Sequence, residues 1–359
     1  MIDKTANAGS SAQNGFALQR NTALYLLIEN YKTKFKGEKY FICLEHHEDF
    51  LFCFLNKKNE VKIIEAYQSK KKSPTIWRLN TELFKIISKI LKVGQNLVLD
   101  KITKSSTYKH YLFFVSNQTI NLEIKKTPVS IFESIKEDNT QVKYSDLHKE
   151  IKDKITKEIK DKTLHSELHN FGFIYVDLNR TASKQKNELI GQLYEVFGDS
   201  ILNKQAAIET LFSLFQGIEL TYNQRNTIKL LDESKRVNSE IIDKTFDILT
   251  NKSKCFNYWR SKEREISIAL HIKPYESDKF QLDFTTAFDL FKSLKEAEHN
   301  KILNYVKNNY TKCTTYTLED NVNELIIMHK KEENSIFTKL TFKAIFFAAY
   351  FEATFQQNN

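Results

Sequence analysis

The residues best able to do chemistry lie between Glu45 and Lys70, where two acids precede an apolar run that ends in a lysine. Residues two apart on a β-strand point to the same face, so Gln68 and Lys70 are predicted to project together. Asp49 belongs to the preceding predicted strand. A carboxylate on one strand, with a polar group and a lysine two residues apart on the next, is typical of a metal-dependent phosphodiesterase core.

Each residue type in this stretch suits the cleavage of a phosphodiester bond. Asp49 is the candidate anchor for Mg²⁺ or Mn²⁺, and the oxygen of the Gln68 side chain, or a backbone carbonyl beside it, is the candidate second ligand, because such ions prefer oxygen. Lys70 carries a compact charge that can orient water and stabilise negative charge in the transition state. The same spacing also arises by chance in strands without a site, so both interpretations stay open.

Three further residues are candidates for supporting roles. Glu45 precedes Asp49 within the same acidic segment. Glu29 lies on the first predicted helix and can supply the helix carboxylate that completes many nuclease sites; the alternative is an exposed, salt-bridged glutamate. Gln19 lies earlier on that helix, where its amide can hold a loop of the site by hydrogen bonds.

The hydrophobic pattern predicts two parts of different character. The first contains helices at 16–35 and 79–91 and strands at 39–45, 49–55, 61–70, 110–116 and 119–125. The second contains one strand at 171–179 and helices at 146–162, 185–197, 204–217, 223–250, 284–309, 318–331 and 335–356. We therefore expect an α/β domain over residues 1–125, a connector over 126–145, and a mainly α-helical assembly or regulatory domain over 146–359.

Composition favours a folded protein with a polyanionic partner. The 359-residue chain is 41% hydrophobic and carries 54 Lys and Arg against 45 Asp and Glu, a net charge of +9. This excess suits nucleic acid, although lysines that alternate with acids on solvated helices produce the same figure. Lys71 and Lys72 extend the basic strand end and are candidates for contacts with DNA phosphates; a solvated lysine surface is the alternative.

Several classes of protein find no support in the sequence. The four cysteines have no CxxC spacing, and Cys43 and Cys53 are predicted to be reduced core residues, which fits a cytoplasmic protein. The most apolar segment, 344–355, is too short to span a bilayer and carries Glu352. We therefore expect a buried helix there and no association of the protein with a membrane. No GxxxxGK[ST] motif is present, so the chain is not itself a P-loop ATPase.

Four segments, in order, resemble the double-stranded DNA endonuclease domain associated with bacterial cyclic-oligonucleotide antiphage signalling (CBASS). They are Gly15–Gln19, Glu45–Asp49, Gln68–Lys70 and Phe113–Asn117, with Ser116 where that family has threonine. The resemblance covers about the first 125 residues of the sequence. It implies a PD-(D/E)xK restriction-endonuclease-like fold, a divalent metal and cleavage of duplex DNA with little sequence preference. Its catalytic residues would be Asp49, Gln68 and Lys70, supported by Glu45 and Gln19.

The resemblance also implies an effector of antiphage or antiplasmid defence. Such domains accompany a cyclic-oligonucleotide sensor in CBASS, an SMC-like ATPase and a small accessory subunit in Lamassu-type systems, or a HerA-like ATPase. Residues 146–359 do not match the sensor, and the chain lacks an ATP-binding motif. We therefore favour a Lamassu-type nuclease subunit, which would be activated by partner subunits or by homo-oligomerisation. One alternative is a non-catalytic DNA-binding or assembly subunit with a decayed nuclease fold, because Gln68 stands where a second carboxylate would be expected. The other is a helical scaffold whose positive charge has no role in binding DNA.

Overall fold

The computed structural model of the protein describes residues 8–46, 48–71, 76–201, 203–219, 230, 233–291, 297–330 and 336–354. The chain divides into two compact units: residues 1–196 with 208–241, and residues 197–207 with 242–359. In the described part of the chain, the first unit contains all the strands, and the second is built from helices. The predicted fold class, an α/β part followed by a mainly helical part, is therefore confirmed.

The first unit combines ten strands of the described chain with helices on both faces. Its strands are β1 Tyr40–His46, β2 Glu48–Leu55, β3 Val61–Ser69, β4 Trp77–Arg78, β5 Lys104–Ser116, β6 Ile120–Ile124, β7 Ile131–Ile135, β8 Gln141–Lys143, β9 Phe171–Tyr175 and β10 Arg236–Asn238. The helices that contribute to it are α1 Ala8–Asn30, α2 Thr81–Leu99, α3 Lys149–Glu158, α4 Ala182–Phe197 and α5 Lys204–Glu219. A π-helical turn, Tyr31–Phe35, follows α1.

Seven strands form the main sheet in the order β10-β1-β2-β3-β5-β9-β8, and β4, β6 and β7 form a small second sheet. Strands β1, β2 and β3 are antiparallel neighbours, whereas β3, β5 and β9 run parallel. The change of direction follows from the connections: a short hairpin turn joins β2 to β3, but α2 carries the chain from β3 to β5. Because β3, β5 and β9 are parallel, their carboxyl ends lie at one edge of the sheet.

The two faces of the main sheet are covered by different side chains, because successive strand residues alternate. On one face, Ile64, Ala66 and Leu112 pack in the same core as Ile87 and Leu91 of α2. Helix α2 begins at Thr81. The preceding residue, Asn80, is its N-cap, and the Asn80 side chain accepts a hydrogen bond from the Leu83 amide. The opposite face carries aromatic rings that stack on one another: Phe50, Phe52, Tyr67 and Phe113. The sheet is thus buried on both sides.

The second unit packs its helices around an apolar C-terminal helix. The helices are α6 Ser239–Ala269, α7 Ser277–Phe291, α8 Ala297–Asn309, α9 Leu318–Lys330 and α10 Lys339–Thr354. Every residue of α10 from Phe342 to Ala353 is buried, so the expected buried helix at 344–355 is found over its described residues. Among the described helices, none is long and apolar enough to cross a membrane.

The structure differs from the predicted elements at several places. The predicted connector, 126–145, contains β7 and β8, and helix α6 continues to Ala269, beyond its predicted end at 250. The boundary expected at residue 125 falls inside the first unit, because the later strand β9 pairs with β5 and short strand β8 pairs with β9. The helix predicted over 223–250 is wrong at its start. There β10 pairs with β1 and the helix begins at Ser239, since pairing with a sheet edge outweighs the helical pattern; residues 221–229 lie outside the described part.

Candidate active site

Asp49 and Lys70 meet at the carboxyl end of β3. The Oδ2 atom of Asp49 accepts a 2.7 Å hydrogen bond from the backbone amide of Ser69, and the Nζ atom of Lys70 lies 3.9 Å from the same oxygen. Asp49 is only 8% exposed, whereas the Lys70 side chain is 38% exposed. The structure therefore combines a fixed, largely buried carboxylate with a cation that still reaches solvent.

Gln68 lies across from Asp49 on the neighbouring strand. The pairing of β2 with β3 begins at Phe50 and Tyr67, and continuing it by one position sets Asp49 opposite Gln68. Directly opposite residues of an antiparallel pair project to the same face. Gln68 is 8% exposed, and its carboxamide makes no hydrogen bond to any residue that the structure describes. An amide oxygen is thus available beside the carboxylate.

Helix α1 holds the end of β3 from the other face of the sheet. The hydroxyls of Thr22 and Ser69 lie 3.2 Å apart and both residues are buried. Ser69 therefore contacts α1 through its side chain and Asp49 through its backbone. Gln19, which is half-buried, precedes Thr22 by three residues and so lies one turn towards the start of the helix. Neither Thr22 nor Ser69 could be identified as a site residue from the sequence, because isolated hydroxyl residues are common.

The adjacent strand end is fixed by a second group of hydrogen bonds. The amide of Lys70 donates to the carbonyl of Val115 at 2.9 Å. The hydroxyl of Ser116 accepts bonds from Trp77 Nε1 at 2.9 Å and from the amide of Gln118 at 3.1 Å. Trp77 is buried and packs edge-on against a core ring, so its indole orders the edge of the sheet from within.

Glu29 is not brought to Asp49. It lies two turns beyond Thr22 on α1 and lines a separate pocket of about 520 Å³, together with Tyr67, Tyr175 and Asp177. Desolvation in this pocket raises the pKa of the Glu29 carboxyl, and a hydrogen bond from the neighbouring asparagine opposes the rise. The carboxylate predicted to complete the site from the helix thus belongs to a different cavity.

The three other candidate residues are described to different extents. The strand pairs that flank Glu45 place its backbone opposite Asp49, but its side chain lies outside the described part of the chain. Lys71 is exposed directly after the strand end. Lys72 lies outside the described residues.

The donor atoms that are described fit a hard divalent cation. Within the described residues, no three His, Cys, Asp or Glu side chains come close enough to hold a metal ion together. Asp49 and Gln68 nevertheless offer a carboxylate and an unbonded amide oxygen on one face. Mg²⁺ needs only one or two protein carboxylates because it keeps several of its water ligands. The neutral amide is the weaker of these two ligands.

A carboxylate and a lysine at neighbouring strand ends of a mixed sheet, with helices on both faces, are typical of restriction-endonuclease-like nucleases. The sequence model of the family described as Cap4, dsDNA endonuclease domain, matches residues 7–218, more than half of the chain. The chain therefore belongs to this family, and the predicted relationship to the CBASS-associated nuclease domain is confirmed. Comparisons with curated proteins and with solved structures give no match. The family match extends beyond residue 125 and takes in β9 and α4.

Proposed function

We propose that this protein is a divalent-metal-dependent endodeoxyribonuclease that acts on double-stranded DNA in defence against phages or plasmids. The observation that carries the proposal is the contact of Lys70 and the Ser69 amide with one oxygen of Asp49. Membership of a dsDNA endonuclease family supports the substrate class. The net charge of +9 is consistent with a polyanionic substrate.

In this proposal each residue at the strand end has a distinct task. Asp49 and Gln68 would hold Mg²⁺ or Mn²⁺, which when bound supplies an activated water and stabilises charge on the phosphate. The Ser69 amide fixes the Asp49 carboxylate before substrate arrives, so less ordering is required during the reaction. Lys70 can donate a hydrogen bond to the attacking water or to a phosphate oxygen, because its ammonium group is partly exposed.

We further propose that partners control the nuclease. A site without a specificity domain would damage the host chromosome if it were always active, so some gating is expected. The chain has no ATP-binding motif, which favours an SMC-like ATPase and a small accessory subunit, as in Lamassu-type systems, over control within the chain. A homo-oligomer that pairs two nuclease domains would allow one cut in each strand. A HerA-like ATPase or a CBASS cyclase is the alternative partner, and neighbouring genes distinguish the three settings.

Plasmid cleavage with Mg²⁺, by the protein with its partners, tests the catalytic assignment. Lys70→Ala should lower the rate by about 10²–10³-fold, since it removes a preorganised charge at the reacting phosphate. Lys58→Ala is the matched control, because Lys58 is an exposed lysine in the hairpin turn. Equal cutting by Lys70→Ala and wild type would refute the role of Lys70, and cutting that survives EDTA would refute the metal requirement.

The main rival is a non-catalytic DNA-binding or assembly subunit that retains a decayed nuclease fold. The observation in its favour is Gln68, whose neutral oxygen binds a cation more weakly than a carboxylate does. DNA binding without cleavage in every assembled state would establish this rival. DNA binding that is absent, or that is insensitive to salt, would instead support a helical scaffold.

A further inference from the structure

Exposed basic residues lie at the same sheet edge as the candidate site, two strands away. The segment that follows β9 emerges beside the end of β5, because β5 and β9 are parallel neighbours and the amide of Val176 donates to the carbonyl of Ser116. Arg180 lies in this segment, and Lys184 lies in the first turn of α4; both are exposed. Neither residue stands out in the sequence, since only the sheet order brings them to this edge.

Arg180 is held in place by a neutral scaffold. Its Nη2 atom donates to the amide oxygen of Gln118 at 3.2 Å. Gln118 is 7% exposed, and its own amide nitrogen donates to the carbonyl of Asn117 at 3.0 Å. The Asn117 side chain in turn donates to the carbonyls of Leu178 and Asn179, at 2.9 and 3.1 Å. The strand end and the Arg180 segment are therefore tied together at three points.

The positive charge of Arg180 is left for a ligand from outside. Within the described part of the chain, Arg180 makes no salt bridge. The nearest acid in sequence, Asp177, lines the pocket on the α1 face, where its charge contributes to raising the pKa of the Tyr25 hydroxyl. A guanidinium that is oriented by an amide, with no carboxylate paired to it, is suited to bind phosphate.

We propose that Arg180 binds a backbone phosphate of duplex DNA that crosses the sheet edge from Lys70 and Lys71 towards α4. This inference rests on the proposed function, because it takes DNA as the substrate. Neighbouring strands lie about 4.8 Å apart, so β9 is roughly 10 Å from β3. That distance corresponds to about three base pairs along a duplex. Lys184 and the amino end of α4 follow the same end of β9 and add positive potential there.

DNA binding by the full chain, measured with a short fluorescent duplex in EDTA over a range of KCl concentrations, tests this assignment without cleavage. Arg180→Gln should weaken binding by about 5–30-fold and reduce the slope of log K against log salt by about 0.9, since one phosphate contact is lost. Lys109→Gln is the matched control. It removes one exposed charge from β5, seven residues before the strand ends and so about 23 Å from the edge.

Three outcomes decide the proposal. Arg180→Gln with the affinity and salt slope of wild type refutes it, and so does an equal loss in Lys109→Gln, which would indicate an effect of net charge alone. Absence of DNA binding by the wild type also refutes it. Selective loss in Arg180→Gln, partly restored by Arg180→Lys, supports it. Because no cleavage is measured, failure of the Lys70→Ala test leaves this result interpretable: a chain that binds through Arg180 but does not cut would be the non-catalytic rival.

Discussion

A buried carboxyl group in the helical unit gives a stability effect whose sign and size follow from the structure. Glu352 lies in α10 with no solvent exposure, and its Oε2 atom accepts a 3.1 Å hydrogen bond from the side chain of Asn251. Burial raises the pKa of Glu352 from its ordinary 4.5 to about 7, and the hydrogen bond from Asn251 only partly opposes this rise.

The raised pKa makes the folded state bind a proton more tightly than the unfolded state does. The corresponding stability is fully present below the unfolded pKa, near 4.5, and is lost as the pH rises through the folded value near 7. The interval of about 2.5 pH units, at about 1.4 kcal/mol per unit, amounts to about 3 kcal/mol. At pH 8 the charged carboxylate should therefore lower the free energy of unfolding by about 3 kcal/mol.

Glu352→Gln removes the charge and keeps both the size of the side chain and an acceptor for Asn251. We expect this variant to match wild type near pH 4.5 and to be more stable by about 3 kcal/mol at pH 8. Urea unfolding between pH 4.5 and 8.5 measures this. A Trp77→Phe background in both proteins leaves Trp259, buried in the helical unit, as the fluorescent reporter. The matched control is Glu265→Gln, which removes an exposed carboxylate from the same unit.

The reasoning about Glu352 is refuted if wild type and Glu352→Gln lose stability in parallel as the pH rises. It is also refuted if Glu265→Gln shows the same gain at pH 8. Either result would mean that the pH dependence comes from the total charge of the unit and not from the desolvated carboxyl in α10.

Two further tests probe the sheet unit. Thr22→Val should lower kcat by roughly fivefold to tenfold with DNA affinity unchanged, since it deletes a hydroxyl contact to Ser69 worth about 1 kcal/mol. Thr22→Ser keeps the hydroxyl and should retain activity. Equal activity of wild type, Thr22→Val and Thr22→Ser would contradict the positioning role. Gly94→Ala should destabilise the unit by about 1–3 kcal/mol in thermal unfolding, because the new Cβ would lie 2.6 Å from Glu167 Oε2. Gly191→Ala, where nothing lies within 4 Å, should instead stabilise by up to about 1 kcal/mol, and similar losses at both glycines would contradict the argument.

The parts of the fold that depend on local periodicity were predictable from the sequence. Alternation along β3 identifies the face shared by Gln68 and Lys70, and helical spacing identifies α2 and the buried α10. The end of the sheet unit was not predictable in this way. Strand β8 has three residues and β9 has five. Strand β9 acquires its place by pairing with β5, and β8 by pairing with β9. Pairing between distant segments leaves no periodic signal in the sequence.

The candidate site depends on the same two kinds of information. Strand alternation predicts which residues share a face, and together with the family resemblance it led to Asp49, Gln68 and Lys70 as the proposed site. It does not determine which helix residue supports them. Glu29 carries the charge that chemistry would favour, yet it lines a separate pocket, whereas Thr22 contacts the strand end. Helix α1 contacts the strand end at Ser69, whose amide also holds Asp49, so the Thr22–Ser69 contact links the helix to the carboxylate through one residue of β3.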